Sequence, residues 1–163
     1  MRPSRLLVLL SPLAFTACLN GTETLSGVNQ GTPIDCATLA TGLTAAEPTL
    51  TTTASGLKYR DQTVGTGATV ATGQLVAVHY SGCLTTGVKF DENNDADTPL
   101  PFRVGANPLQ VIPGFDEGMI GMKVGGRRQL VIPPALGYGA AGSPPTIPGN
   151  ATLVFTVDLV ATQ

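Results

Sequence analysis

The 163-residue sequence has no tryptophan and one histidine, His79. Only 12% of it is charged and 5% aromatic. Each shortage removes a class of function. His79 lies inside an alternating apolar–polar run, so it reads as a hydrogen-bonded strand residue rather than a general base. No Ser-His-Asp or Cys-His set surrounds it. The formal net charge is −2, and Arg127-Arg128 is the only basic pair. That leaves no electrostatic footprint for nucleic acid. GxSxG, HExxH, Walker and paired-cysteine motifs are absent. The glycines of residues 125–142 do not form a GxGxxG turn between a strand and a helix. There is no internal repeat. The apolar run Leu6–Phe15 is too short to span a bilayer. Nucleophilic, metal and cofactor chemistry therefore have no candidates, and no cofactor or metal is expected. What the sequence does have is 42% hydrophobic residues. That is enough for a packed core, and it excludes disorder of the whole chain.

The first residues read as a processing signal. Arg2 and Arg5 precede the apolar run, which Ser11 and Pro12 interrupt, and FTAC follows, ending at Cys18. Small residues ahead of a cysteine resemble the bacterial lipobox, with Phe15 where that motif usually carries leucine. The resemblance implies a signal peptide over residues 1–17, lipidation of Cys18, and a lipid anchor in the cell envelope outside the cytoplasm. Leu19 in place of aspartate gives no signal for inner-membrane retention. The other reading is an ordinary secretory signal cleaved nearby. Lipidation is favoured because Cys18 stands where the apolar run ends. Each buried acyl CH₂ contributes about 0.8 kcal/mol, and stable anchoring needs more than one chain. Cys36 and Cys83 remain. An oxidising compartment lets them persist as a disulfide; two free thiols, one buried in a strand, is the alternative.

Residues 18–54 are rich in Thr, Ala, Gly and Leu without a sustained period and read as a tether, with a weak helical signal around Cys36–Leu43. The pattern changes at Ser55, so 55–163 is taken as the folded domain. Gly56–Val64 and Gln74–Leu84 read as strands; in the second, Val76, Val78 and Tyr80 alternate with Ala77, His79 and Ser81. Val88–Phe90 begins a third strand and Pro101–Val104 makes a short one. Asp91–Asp97 reads as a polar loop. Its Asp91, Asn93 and Asp95 have the opening spacing of a calcium loop, but Ala96 and Phe102 stand where glycine and glutamate are required, so a solvated loop is expected. Pro113 with Asp116-Glu117 starts one short helix that ends at the following glycines. Arg127–Ile132 is a strand stopped by Pro133-Pro134. Leu153, Phe155, Val157 and Leu159 mark the last strand, with Thr152, Thr156 and Asp158 on its other side. Many short strands and one short helix describe an antiparallel α+β domain.

Tyr80, Phe90, Phe102, Val111, Ile112, Phe115, Tyr138, Ile147 and Phe155 all lie beside loops. Singly each is an ordinary core residue. Together, the segments VHYSGCLTTGVKFDE, PFRVG, VIPGFDEGMIGMKVGGRRQLVIPPALGYGAAG and IPGNATLVFTVDLV resemble the FKBP-type peptidyl-prolyl cis-trans isomerases, in the family's order over residues 55–163. The resemblance implies a twisted antiparallel sheet wrapped round one short helix. It also implies an isomerase that rotates X–Pro bonds without covalent chemistry.

By the same resemblance, Tyr80, Phe90, Asp91, Phe102 and Tyr138 carry the catalytic site. Val111, Ile112, Phe115, Ile147 and Phe155 border the substrate. Asp91 either orients Tyr80 or faces the twisted carbonyl. Phe115 replaces a tryptophan common at the pocket floor, Leu100 stands where some members have a second aromatic, and GANPLQV is longer than in small members. The implied partners are proline-containing polypeptides and macrolide inhibitors. No nucleic acid is expected, membrane contact is through the lipid alone, and the chain is expected to be monomeric. A non-catalytic chaperone or surface binding module for proline-containing segments is the alternative, and a structural lipoprotein with an inactive pocket is a third reading.

Overall fold

The computed structural model describes Cys36, residues 50–94 and residues 98–163. The alternating runs form seven strands: β1 (Thr51–Thr52), β2 (Lys58–Thr63), β3 (Leu75–Leu84), β4 (Lys89–Asn93), β5 (Leu100–Arg103), β6 (Arg127–Ile132) and β7 (Leu153–Thr162). One α-helix, α1 (Pro113–Met119), and a 3-10 turn at Pro134–Leu136 complete the described elements. All pairings are antiparallel, in the order β1-β2-β6-β7-β3-β4, and β5 pairs with the first half of β3 while β4 pairs with the second. Among the described elements this is the antiparallel sheet with one short helix that the sequence pattern predicts; Cys36, apart from them, is also helical. The signal segment, Cys18, the helical signal after Cys36 and most of the tether lie outside the described residues.

Two details differ from the sequence reading. Strand pairing begins at Thr51, ahead of the change in pattern at Ser55, because Thr51 and Thr52 pair with Tyr59 and Lys58. The stretch read as a loop from Asp91 begins instead as strand: Asp91, Glu92 and Asn93 pair with Gly82, Ser81 and Tyr80. Acidic residues disfavour strands intrinsically, but pairing with a long neighbouring strand overrides that preference. Among the described residues no group of three acidic, His or Cys side chains is placed to hold a metal.

The period-2 pattern sorts each strand into two faces. Val76, Val78, Leu130, Ile132, Leu153, Phe155, Val157 and Leu159 point inward and pack with Phe115 and Met119 of α1 in one core. Pro113 starts the helix, with Ile112 ahead of it in extended conformation and Asp116 in the first turn. Both Asp116 carboxylate oxygens accept the Gly105 N–H, at 2.9 and 3.0 Å, which ties the loop after β5 to the helix. Arg128, only 5% exposed, fixes the helix's other end. It donates to Asp61 through two nitrogens, at 2.6 and 3.0 Å, and to the Gly118 and Ile120 carbonyls, each at 3.0 Å. Its guanidinium also lies 4.4 Å from the centre of the Tyr59 ring. One cation thus joins β2, β6 and the carbonyls that a helix leaves without partners at its C-terminus.

The outer face carries the disulfide. Cys36 is bonded to Cys83 with 5.7 Å between the α-carbons, and the pair packs with Val154. Gln129, Thr156 and Ser81, one on each of three neighbouring strands, are buried on the same face. All three are polar, and all three are buried.

Candidate active site

The site is assembled at one end of the core, where β3, β4, β7, α1 and two loops meet. β3 supplies Tyr80 on its inner face, and β7 supplies Phe155, in register with Gly82. Glycine at that register position is a steric requirement. A β-carbon there would come within 2.7 Å of the Phe155 ring and 2.8 Å of the Phe90 ring, so only a residue without one lets both aromatics close over the strand. The helix supplies Phe115. Its ring is 5.6 Å from Tyr80 and 5.1 Å from Phe155, both edge-on. Offset and edge-to-face contacts of this kind contribute about 0.5–1.5 kcal/mol each beyond the area they bury.

The result is a cavity of about 180 Å³ lined by Tyr80, Asp91, Leu100, Gln110, Val111, Ile112, Phe115, Tyr138 and Phe155. Phe115 and Phe155 form a deep apolar surface and the polar groups stand round it. Phe90, Phe102 and Ile147 lie behind this surface. Phe90 stacks edge-on against Phe155 at 5.4 Å, and Phe102 packs on Phe115 at 5.8 Å while only 2% exposed. Ile147, 5% exposed, joins the core from the loop after Tyr138. Phe90 and Phe102 thus brace the lining rings, and Ile147 lies in the same core.

Tyr80 and Asp91 are eleven residues apart in sequence and adjacent in space, because β3 and β4 form a hairpin. The Tyr80 hydroxyl donates to Asp91 Oδ2 at 2.8 Å, and Asp91 Oδ1 accepts the Glu92 N–H at 2.9 Å. Both carboxylate oxygens are therefore engaged, and Asp91 holds the phenol rather than standing free. Burial first, then the hydrogen bond and the negative charge of Asp91, push the Tyr80 pKa well above its ordinary value. Tyr80 consequently stays a neutral donor at any working pH.

Tyr138 follows the 3-10 turn, and Gly139 beyond it adopts φ +60°, a left-handed conformation natural to glycine. The Tyr138 side chain is 40% exposed, and among the described residues its hydroxyl makes no hydrogen bond. Ile112 N–H is likewise without an acceptor among the described residues. The site thus offers two uncommitted donors beside an aromatic surface. Sequence reasoning did not single out Gln110, although it lies within GANPLQV and directly precedes Val111-Ile112; its place on the lining follows only from the fold.

Similarity to known proteins agrees with this geometry. A family profile described as FKBP-type peptidyl-prolyl cis-trans isomerase matches residues 67–160, more than half of the chain. The chain belongs to that family. The FK506-binding protein of Neisseria meningitidis serogroup B is 46% identical over 105 residues, covering 64% of this chain and 94% of that protein. FK506-binding protein 4 of Dictyostelium discoideum is 50% identical over 107 residues, 66% of this chain but only 28% of that longer protein. The crystal structure of FkpA from Escherichia coli superposes with a TM-score of 0.65 at 38% identity, covering 78% of this chain and 57% of that one. The aromatic surface, the Tyr80–Asp91 pair and the Tyr138 loop all lie within the span matched to the FKBP family.

Proposed function

We propose that this FKBP-type domain accelerates rotation about X–Pro bonds in polypeptides, using the aromatic cavity as the seat of the proline ring. The observation that carries the reading is the cavity itself. At about 180 Å³ it slightly exceeds an apolar cavity of about 150 Å³ known to admit benzene, so a five-membered ring fits. The barrier to rotation is amide resonance, about 18–20 kcal/mol. In the twisted transition state the C–N bond loses double-bond character, and the charge separation of the planar amide shrinks. An apolar site is then better matched to the transition state than to the ground state, which is the condition for acceleration. Phe115 and Phe155 hold the ring, Ile112 N–H and the Tyr138 hydroxyl donate to peptide carbonyls, and Asp91 keeps the Tyr80 phenol facing the site. Relatives of this chain are FK506-binding proteins, which supports the same cavity as a macrolide site. The test is catalysed relaxation of a Leu-Pro peptide by the purified chain, slowed by such a macrolide.

The donors are expected to differ in weight. Tyr138→Phe leaves the ring and removes one exposed hydrogen bond, so kcat/KM should fall about two- to fivefold. Asp91→Ala frees the Tyr80 hydroxyl in a half-buried site and should cost tenfold or more, about 1.4 kcal/mol. Equal losses in the two variants would contradict these assignments.

The chain is proposed to work outside the cytoplasm, on exported proteins, held to a membrane by lipid on Cys18. The charged and apolar start of the sequence supports this, and so does the Cys36–Cys83 bond, because disulfides persist in oxidising compartments. Cys18→Ser should release the protein from the membrane fraction. Full retention of that variant would reject the anchor.

A further inference from the structure

We propose that Gln110 is a substrate-binding donor of this site, which hydrogen-bonds a backbone carbonyl of the bound polypeptide beyond the proline ring. The inference rests on the isomerase reading above. Gln110 lies on the cavity lining, immediately before Val111 and Ile112. Its Oε1 accepts the Arg103 backbone N–H at 2.7 Å. A backbone N–H can only donate, so the amide orientation is fixed by chemistry: the oxygen faces β5 and the NH₂ group faces away from it. Among the described residues that NH₂ group has no acceptor, and the side chain is exposed at the cavity mouth. Two oriented donors therefore stand at the rim of a cavity whose floor is formed by Phe115 and Phe155.

The loop that carries Gln110 is held at both ends. Gly105 N–H is bound to Asp116 on the helix, and the Gln110 side chain itself clasps β5. The donor is thus positioned before substrate arrives, which lowers the ordering cost of binding. A ring seated against Phe115 and Phe155 is fixed by shape, but the polypeptide on either side of it is not. Its regular polar feature is the peptide carbonyl, the group that an amide NH₂ matches. A contact made away from the rotating bond is as strong in the ground state as in the transition state, so it should act on KM and leave kcat unchanged.

Two variants separate this role from a purely structural one. Gln110→Glu keeps an oxygen for the Arg103 N–H and removes the donors; Gln110→Met removes both. Binding of a Leu-Pro peptide to the full chain is followed by NMR titration, and its isomerisation by steady-state kinetics. Both variants should raise Kd and KM about three- to tenfold, the range of one hydrogen bond, with kcat within twofold of wild type. If wild type binds and isomerises the peptide and Gln110→Glu matches it in both, Gln110 only braces the loop and this inference fails alone. A fall in kcat at constant KM also overturns it. If wild type neither binds nor isomerises the peptide, the isomerase reading fails and this inference with it.

Discussion

Replacing Phe115 with alanine is expected to lower both stability and activity more than any other single change at the site. Phe115 is 3% exposed and meets three other rings, at 5.6, 5.8 and 5.1 Å. Truncating a buried phenylalanine costs about 3–5 kcal/mol, from lost transfer energy and the cavity left behind. The same ring is the floor of the site, so its loss also removes the surface against which the proline ring sits. A fall in kcat/KM of about a hundredfold, or 2.7 kcal/mol, is expected at a temperature where the variant remains folded. Phe115→Leu separates the two effects. It retains most of the volume and should cost about 1–1.5 kcal/mol of stability, yet it lacks the flat face and should still lose at least tenfold in activity. Urea unfolding and steady-state kinetics on the same preparations measure both. Activity in Phe115→Ala within a factor of three of wild type would remove the ring from the account.

The second large effect concerns the outer face. Reducing the Cys36–Cys83 bond, or replacing both residues with alanine, is expected to destabilise the domain by about 4 kcal/mol. The bond closes a loop with a sequence separation of 47, and the chain-entropy model assigns roughly that value to a loop of this length. Cys83 lies on the face of β3 opposite the core, whereas Tyr80 and Phe155 face inward. The isomerase rate of the still-folded reduced protein should therefore be close to that of the oxidised form. Identical urea midpoints with and without reductant would show that the bond constrains nothing in the unfolded chain. Loss of activity without loss of fold would show that the two faces are coupled.

How much of this was legible in the sequence varies with the physics of each element. Strands β2, β3, β6 and β7 were readable because a half-buried strand must alternate, and helix α1 because Pro113 and Asp116 mark a helix start. The extension of β4 through Asp91 and Glu92 was not readable, since local preference opposes it and only the partner strand supplies the pairing. Strand β1 is too short to have a pattern. The two faces of β7 are legible from the alternation, but the burial of Thr156 is not. Thr156 is 2% exposed, and alternation says which side a residue faces without saying whether that side is covered.

At the site, resemblance to a family named Tyr80, Asp91, Phe115, Tyr138 and Phe155 as one group, and the fold brings them to one cavity. It did not separate the residues that touch the cavity from Phe90, Phe102 and Ile147 behind it, because depth within a core leaves no mark on a single sequence. Whether Asp91 binds Tyr80 or stands free was likewise open until the register of β3 against β4 placed the carboxylate against the phenol.

The most direct test of the account is the relaxation rate of a Leu-Pro peptide from cis to trans with increasing amounts of the purified chain. Uncatalysed relaxation takes about 10–100 s at 25 °C. The account predicts a rate that rises in proportion to protein concentration at micromolar levels and falls back when a macrolide fills the cavity. A relaxation rate that stays at the uncatalysed value across that range would contradict it.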